Sequence, residues 1–430
     1  MLNLANEEAI IAIGIFLITY AFIISEKIHR TIVAMIGGVL MVLFGVVDQE
    51  TALHHIDFNT LGLLTGMMII VTITAETGLF KFIAIWAAKK VKGHPMAILI
   101  VLSLITAVGS AFLDNVTTVL LMVPVTFSIT RRLGITPMPF LISEILMSNI
   151  GGTATMIGDP PNIMIGSAVK ELSFMDFITN LAPVIIITIV VVMLVLTLIY
   201  RKHLYTDDKT RKRIMDLNEK DEITDKPLMI KAITVMGLTI LGFFLHQAMG
   251  VESATIALAG AFLLLLLSGE HYLEGALSKV EWTTIFFFVG LFVLVSGLVE
   301  TGVIERFAVY AIDITGGNVT ASSILILWMS AIASAFVDNI PYVATMIPLV
   351  QQMGELGINN LEPLWWSLAL GACLGGNGTL IGASANVIVS GLAGKEGYRI
   401  SFLKFMAIGL PIMFITVAIS TVYIYLRYLI

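Results

Sequence analysis

The sequence predicts an all-α polytopic membrane protein, an inverted-topology repeat of two five-span halves that each carry a re-entrant hairpin and a discontinuous helix. The membrane class follows first from composition: the 430 residues are 58% hydrophobic and only 13% charged, whereas soluble domains carry about 25% charged residues. It follows also from apolar runs of about 17–25 residues, enough to cross a bilayer as a helix, along the whole chain. The halves follow from an internal duplication.

Two polar motifs interrupt the apolar sequence, and each occurs twice. The first reads SAFLDN at residues 110–115 and SAFVDN at residues 334–339. The second reads GGTATMIGDPPN at residues 151–162 and GGNGTLIGASAN at residues 375–386. Both pairs are 224 positions apart (334 − 110 and 375 − 151). Two separate motifs at one offset indicate duplication rather than chance.

The first half is predicted to contain five full spans and one hairpin. Its first apolar run lacks a basic flank and a cleavage site, so we expect a retained span rather than a signal peptide. The interfacial segment mixes aromatic and lysine side chains, which suits a helix lying on the membrane surface. In order, the predicted elements are spans 8–26, 31–47 and 58–76, the interfacial helix 78–92, the hairpin 95–131, the discontinuous helix 137–170 and the span 176–200.

The hairpin and the discontinuous helix are predicted from their interruptions. Residues 95–131 are interrupted at Asp114-Asn115, so they form either two full spans with a tight turn or a re-entrant hairpin with these residues at its tip. The hairpin is favoured because no run of charged residues separates the arms. Residues 137–170 contain paired glycines and two adjacent prolines, and proline removes a helix donor and clashes with the preceding turn.

The second half repeats the first after one hydrophilic stretch. Residues 1–200 are predicted to form the first inverted repeat, residues 201–227 a cytoplasmic linker and residues 228–430 the second inverted repeat. After the broken helix the offset becomes 228, because Ser173 then matches Ser401. The second copy therefore has a longer loop after its broken helix.

An odd number of spans in each half requires that the two copies insert with opposite orientations. Basic residues cluster after the first span, beside the first hairpin and in the linker, and such clusters face the cytoplasm. Arg306 and Arg427 are minor exceptions. The charges predict a multi-pass protein of the plasma (inner) membrane, with both termini extracytoplasmic and the linker 201–227 cytoplasmic.

Inverted repeats with broken helices at matching positions point to a secondary transporter. Lipid cannot satisfy backbone hydrogen bonds, so unwound segments persist only where they are buried or line a cavity. Their free carbonyls and helix ends can hold a cation, an anion or a polar solute. No basic stripe suggests nucleic acid as a partner, and the single Cys373 excludes an intrachain disulfide.

The candidate site combines both hairpin tips with both helix breaks. Asp114 and Asp338 are ionisable groups within predicted spans, which commonly mark transport or proton paths; alternatively, each caps the helix that follows. The asparagines either bind solute or tie unwound backbone together. No catalytic residue, metal site or cofactor is expected beyond a coupling proton or sodium ion. The predicted substrate- or ion-binding residues are Asp114, Asn115, Thr153, Thr155, Asp159, Asn162, Asp338, Asn339, Asn377, Thr379, Ser384 and Asn386.

The two copies are chemically unequal at several polar positions, and three of these pairs stand out. This inequality suits a site with one coupling path. Asp159 has the alternative role of capping the helix that begins at Pro160, and Cys373 is either a metalloid ligand or a small packed residue. A neighbouring hydroxyl, Thr118, is expected to bond to its own helical turn. The unequal pairs are Asp159/Ala383, Glu144/Leu368 and Asn149/Cys373.

At these motifs the chain resembles the ion transporter superfamily, in particular the permease group of arsenite-efflux proteins, NhaD-type sodium/proton antiporters and the P-protein-like branch. The 151–162 string and the two hairpin tips carry the resemblance, which covers nearly the full length. It implies a homodimer whose mobile part moves the site past a scaffold in an elevator-like motion. The site that the resemblance implies is Asp114, Asn115, Thr153, Asn162, Asp338, Asn339, Asn377 and Asn386.

The expected function is secondary active transport of a small inorganic solute, and the chain is not expected to be an enzyme. Proton-coupled efflux of arsenite or antimonite is the leading hypothesis, with a soluble ATPase subunit as a further partner if the chain is an arsenite pump. Sodium/proton antiport is the alternative. Sodium-coupled dicarboxylate transport is less favoured, because Asp114 and Asp338 repel an anion where the dicarboxylate branch carries Ser-Asn-Thr.

Two other classes are weighed against transport. A membrane-embedded aspartyl protease needs a Gly-x-Gly-Asp signature, and here Met156 stands where the first glycine belongs. A passive channel would show flux in proportion to the gradient, without coupling to protons or sodium.

Overall fold

A computed structural model describes residues 7–25, 27–202, 204–269 and 271–430 of the chain. Within these ranges the regular structure is helical, and no β-strand occurs. Nine of the helices in this part of the chain are long and apolar enough to cross a membrane. The predicted all-α polytopic class is confirmed.

The helices follow the order expected from the sequence. The first half contains α1 (Glu7–Ser25), α2 (Arg30–Leu43), α3 (Gln49–His54), α4 (Phe58–Glu76), α5 (Leu79–Lys90), α6 (Pro95–Phe112), α7 (Asn115–Leu133), α8 (Met138–Gly152), α9 (Pro160–Ala168) and α10 (Phe174–Tyr200). The linker contains α11 (Asp208–Met215) and a 3₁₀ turn, Glu219–Glu222. The second half contains α12 (Lys226–Met249), α13 (Ser253–Ser268), α14 (His271–Ser278), α15 (Trp282–Glu300), α16 (Val303–Thr315), α17 (Val319–Phe336), α18 (Asn339–Glu355), α19 (Glu362–Gly375), α20 (Ser384–Lys395) and α21 (Phe402–Ile424), which continues into a π-helical turn, Tyr425–Leu429.

The duplication seen in the sequence extends to helix boundaries and packing. Both ends of α15 lie 224 positions after those of α4, and the same holds for α17 and α6. The packing repeats too, because α6 lies against α8 as α17 lies against α19, and α4 lies against α13 as α15 lies against α2. The opposite orientation of the copies stays a prediction.

One helix is shorter than predicted, and the predicted break in another is confirmed. The span predicted at 31–47 ends as a helix at Leu43, because Gly45 adopts a left-handed conformation with φ 71°. The segment predicted as one broken helix, 137–170, separates into α8 and α9 with an unwound stretch between Thr153 and Asp159. The prolines at 160 and 161 occupy the first turn of α9, where a missing N–H group is tolerated.

The two hairpin tips are helix caps. The Asp114 carboxylate accepts a hydrogen bond from the backbone N–H of Thr117 at 2.8 Å, and that of Asp338 accepts from Ile340 at 3.1 Å. Each therefore satisfies one of the unpaired donors at the start of the helix that follows. The capping role that the sequence left open is present in both copies.

The helices form two bundles. The scaffold bundle contains α1, α2, α4, α12, α13 and α15, and the hairpin bundle contains α6–α10 and α17–α21. Glycines set the closest approaches: a Cβ at Gly66 would lie 2.6 Å from the carbonyl carbon of Ala257, and one at Gly290 would lie 2.6 Å from that of Ala34. Small residues allow such contacts between membrane helices. In the hairpin bundle, Gly151 and Gly375 lie in the same way against the backbone of α6 and α17.

The linker packs against the first half. The Lys89 ammonium on α5 contacts the Glu219 carboxylate at 2.6 Å and the Leu217 carbonyl at 2.7 Å. This hydrogen bond lowers the pKa of Glu219, so the carboxylate stays charged at neutral pH. Ile214 is fully buried, and the Thr224 hydroxyl donates to the carbonyl of Glu76 at 2.6 Å.

Candidate ion- and solute-binding site

Both hairpin tips and one helix break meet at Asp159, in the unwound stretch between α8 and α9. The side-chain amide of Asn115, from the first tip, donates to Asp159 Oδ1 at 3.4 Å. The amide of Asn339, from the second tip, donates to the same oxygen at 3.2 Å. Residues from both repeats therefore share one acceptor.

One oxygen of Asp159 has no N–H or O–H donor in the described part of its fully buried setting, and the Cys373 thiol is a neighbour of this carboxyl group. Its side chain makes no capping hydrogen bond to α9, which excludes the capping role considered from the sequence. Among the described residues, Asp159 Oδ2 has no hydrogen-bond partner, and the residue is 0% exposed. A buried carboxylate oxygen without a partner is costly. Its chemistry suits a proton or a small cation.

Asn149 joins the two helix breaks, although it was not among the predicted site residues. Its amide donates to the side-chain oxygens of Asn377 and Asn386, each at 2.9 Å, and its own oxygen accepts from Asn115 at 3.2 Å. The sequence already marked this position as unusual, because the second repeat carries Cys373 where the first carries Asn149. The Cys373 thiol lies 3.6 Å from the side-chain oxygen of Asn162.

Several predicted site residues hold the backbone of the breaks in place. The Asn162 amide donates to the carbonyls of Thr153 and Thr155, at 3.1 and 2.8 Å. Asn386 repeats this arrangement with the carbonyls of Gly376 and Thr379, at 2.7 and 2.9 Å. This is the backbone-tying role that the sequence left open for both asparagines.

The threonine hydroxyls at the breaks also serve the backbone. Thr155 and Thr379 each donate to a carbonyl of the preceding hairpin arm, at Ala111 and Ala335. Thr153 donates to the Asn149 carbonyl at 2.7 Å. Thr118, expected to bond to its own turn, instead has a buried hydroxyl without a partner among the described residues.

Arg30 joins the site from the scaffold bundle. Its guanidinium donates to Asp338 Oδ2 at 2.5 Å and to the Ser384 hydroxyl at 2.7 Å, and Ser384 donates to the same Asp338 oxygen at 2.8 Å. It also lies 4.9 Å from the centre of the Phe287 ring. The sequence interpretation placed Arg30 in a cytoplasmic basic cluster. Arg30 and Asp338 are 308 positions apart in the chain, so no local sequence pattern predicts their contact.

Two connected cavities give the site its shape. The inner cavity has a volume of about 20 Å³, room for roughly one water-sized species. The outer cavity, about 390 Å³, lies between the α1–α2 turn and the second hairpin tip and is large enough for a small molecule. The residues that line both cavities are Arg30, Glu281, Thr284 and Ser384.

The site is acidic overall. Asp114 and Glu281 line the inner cavity, Asp159 lies beside it through Asn115 and Asn339, and Arg30 is the one cation among the described residues that line it. Carboxylate and amide oxygens favour hard cations and protons over anions. The geometry therefore suits a single small cation more than a free carboxylate solute.

An all-helical membrane chain in which two hairpins and broken helices meet at a buried polar site has the features of a membrane transporter. The chain belongs to the CitMHS family, described as citrate transporter, whose model matches residues 20–371.

Several relatives match nearly the whole of this chain. An uncharacterised transporter of Mycobacterium bovis is 41% identical over 98% of this chain and 99% of its own length. The 46 kDa membrane protein of Mycobacterium leprae is 40% identical over 98% and 99% of the two chains. The P protein of Homo sapiens is 35% identical over 97% of this chain and 60% of its own length. The P-protein resemblance is confirmed.

The fold has a counterpart among solved structures. The YdaH transporter of Alcanivorax borkumensis matches with a TM-score of 0.59 over 98% of both chains, at 15% sequence identity. This likeness concerns the fold alone.

Proposed function

We propose that this chain is a secondary active transporter that exchanges sodium ions for protons, with Asp159 as the shared binding group. The observation that supports this most directly is the buried Oδ2 of Asp159, which lacks an N–H or O–H donor among the described residues, in a carboxyl group joined by Asn115 and Asn339 to a cavity with room for one water-sized species. A proton and a sodium ion each neutralise the carboxylate, so they compete for it. Competition for one group couples the two ions when only the neutralised site crosses the membrane.

The two bundles suggest how the site is carried across the membrane. The hairpin bundle holds Asp159 and both tips, whereas Arg30 and Asp57 belong to the scaffold side. Arg30 contacts Asp338, and Asp57 Oδ1 accepts from the Ser167 hydroxyl on α9 at 2.8 Å. In an elevator-like motion these contacts between the bundles break and re-form. A bare carboxylate opposes that motion because an unpaired charge is costly within the membrane.

Proteoliposomes containing the full chain and a trapped pH-sensitive dye test this function. An imposed sodium gradient is expected to move protons, and Asp159→Asn is expected to abolish the movement. Asp313→Asn, at an exposed position on α16, is the matched control and should transport normally. Sodium-independent proton flux, or wild-type exchange by Asp159→Asn, would overturn the proposal.

Proton-coupled arsenite or antimonite efflux is the second candidate, and Cys373 is the observation that favours it. The thiol is fully buried beside Asn162 at the junction of the two breaks. Thiolates are soft ligands, which suits trivalent arsenic and antimony. In the same vesicles, arsenite-dependent proton flux that disappears in Cys373→Ser would favour this function over sodium exchange. A soluble ATPase subunit would then be a further partner.

Carboxylate transport follows from the family's description and from Arg30 in the outer cavity. An anionic solute binding there has to displace Asp338 from Arg30 and face Glu281 at the same time. We therefore rank sodium-coupled dicarboxylate or citrate transport third. Citrate and succinate belong in the same vesicle panel, and saturable uptake of either one would promote this reading.

The assembly and orientation are part of the proposal. We expect a homodimer in the plasma membrane with both termini extracytoplasmic and the linker 201–227 cytoplasmic. Single cysteines placed at Glu219 and at Asn360, in a Cys373→Ser background, should react with impermeant reagents from opposite sides. Labelling of both from one side would refute the inverted orientation.

A further inference from the structure

We propose that Glu144 is a proton-binding residue on a path that leads along α8 to Asp159. The inference rests on the proposed function, because it assumes that the proton is one of the coupled ions. It concerns a second carboxyl group, outside both cavities described above. The ligand is the proton itself, taken up by Glu144 and passed towards the helix break.

Glu144 is built like a proton site. The side chain is 0% exposed, and Oε1 accepts a hydrogen bond from the Thr126 hydroxyl on α7. Oε2 has no partner among the described residues. An unpaired carboxylate in such a setting is far more costly than the neutral acid. One oxygen is thus held by a hydroxyl while the other is free for a proton.

A line of polar groups connects Glu144 to the site. Ser148 lies four residues further along α8, on the same helix face, and next to it Asn149 bonds to Asn115, which contacts Asp159. At about 1.5 Å per residue, Glu144 lies roughly 7–8 Å from Asn149 along the helix axis. Gaps of this size are within reach of one or two water molecules.

The other end of the line lies near a third cavity. Thr126 is the chain neighbour of Phe127, which lines a cavity of about 490 Å³ between α7 and α20. The charged groups of that cavity are Arg131, Arg132, Lys395 and Glu396, of which Arg131 and Glu396 form an ion pair. This charged cavity is the proposed starting point of the path on the predicted cytoplasmic side.

The second repeat shows that the fold does not need this polar line. Its α18 and α19 pack in the same way as α7 and α8, yet each polar member is replaced by an apolar or less polar residue. Structure alone therefore does not account for the polar set in the first repeat. The replacements are Thr126 by Val350, Glu144 by Leu368, Ser148 by Ala372 and Asn149 by Cys373.

Two measurements on the full chain test the inference. Infrared spectra of the reconstituted protein are expected to contain a carboxylic-acid carbonyl band that shifts in D₂O and is missing in Glu144→Gln. In dye-loaded proteoliposomes, Glu144→Gln is expected to slow sodium-driven proton flux about tenfold or more, since positioned proton donors commonly contribute that much. Ser143→Ala is the matched control, because among the described residues the Ser143 hydroxyl bonds only to the Pro139 carbonyl, at 2.7 Å.

A second variant protects the test against misfolding. Glu144→Leu combined with Thr126→Val copies the packing that the second repeat already uses, and it should fold while losing proton flux. Wild-type flux in either variant, or an unchanged carbonyl band in Glu144→Gln, would overturn the inference alone. If the wild-type chain moves no protons under any gradient, the proposed function fails and the path along α8 fails with it.

Discussion

The two repeats build the same ion pair from different bases. Lys279 contacts Glu76 at the end of α4, and His55 contacts Glu300 at the end of α15 with Nε2 and Oε1 2.8 Å apart. Both members of each pair are 224 positions from their counterparts. The duplicated frame thus holds an ion pair at the same place in both copies, with an ammonium group in one and an imidazole in the other.

The two hairpin tips also occupy matching positions but use different hydrogen-bond partners. Asp114 is satisfied within its own hairpin, by the backbone and hydroxyl of Thr117. Asp338 is held by Arg30, which comes from the other bundle. The contacts of the second tip therefore depend on the position of the scaffold bundle, whereas the hydrogen bonds of Asp114 described for the first tip lie within its own hairpin. Duplication preserved the backbone of the two tips, whereas the groups that hold each carboxylate differ.

The largest expected effect comes from the most unequal pair, Asp159 and Ala383. Asp159→Asn should lower coupled flux roughly 100-fold, because the amide cannot take up a proton or neutralise a cation. Ala383→Ser, at the matching position of the second break, should leave flux within about a factor of three of wild type. Initial rates in proteoliposomes measure both. Equal losses in the two variants would contradict the assignment of the site to the first break.

The glycines beside the breaks should behave alike, because they pack alike. A Cβ at Gly151 or at Gly375 would overlap the backbone of Ala107 or Ala331. Gly151→Ala and Gly375→Ala should each destabilise the protein by about 1–3 kcal/mol, as overpacked positions do. Thermal unfolding in detergent measures this. Gly14→Ala, where nothing lies within 4 Å of the added carbon, serves as the control. A normal Tm in only one of the two variants would show that Gly151 and Gly375 are not equivalently packed.

The contact between Arg30 and Asp338 should appear as a coupling between the bundles. A double-mutant cycle of Arg30→Ala and Asp338→Ala is expected to give an interaction energy of about 1–2 kcal/mol in unfolding experiments. The cycle of Lys27→Ala with Asp338→Ala should give about zero, since Lys27 is exposed and no ion pair joins it to Asp338 among the described residues. Equal interaction energies in the two cycles would mean that Asp338 interacts with nearby positive charge in general and has no specific contact with Arg30.

The smallest effect concerns the two ion pairs at the ends of α4 and α15. Exposed pairs contribute about 0.5 kcal/mol, so the double-mutant cycle of Lys279→Ala with Glu76→Ala and that of His55→Ala with Glu300→Ala should each give a coupling energy of about 0.5 kcal/mol or less. Thermal unfolding in detergent measures both cycles. A coupling energy above about 1 kcal/mol in only one of them would show that the two repeats are not equivalent here.

Local physics made much of this fold predictable. Apolar length marks the spans, proline and glycine mark the break before α9, and short carboxylates before a helix mark caps, so Asp114 and Asp338 were placed correctly at the hairpin tips. Local reasoning could not choose between capping and binding for Asp159, and the structure shows that it does not cap α9. The expectation for Thr118 was wrong, because its hydroxyl lies in a helix but does not bond to its own turn.

The sequence by itself determined the class, the duplication and the residues of the two breaks, because these depend on composition, spacing and neighbours in the chain. Only the tertiary structure decided that both tips share Asp159, that Asn149 joins the breaks and that Arg30 pairs with Asp338. These contacts join helices far apart in the chain, the last across 308 positions. Such contacts depend on how helices pack, and helix packing follows from many side chains at once rather than from any one motif.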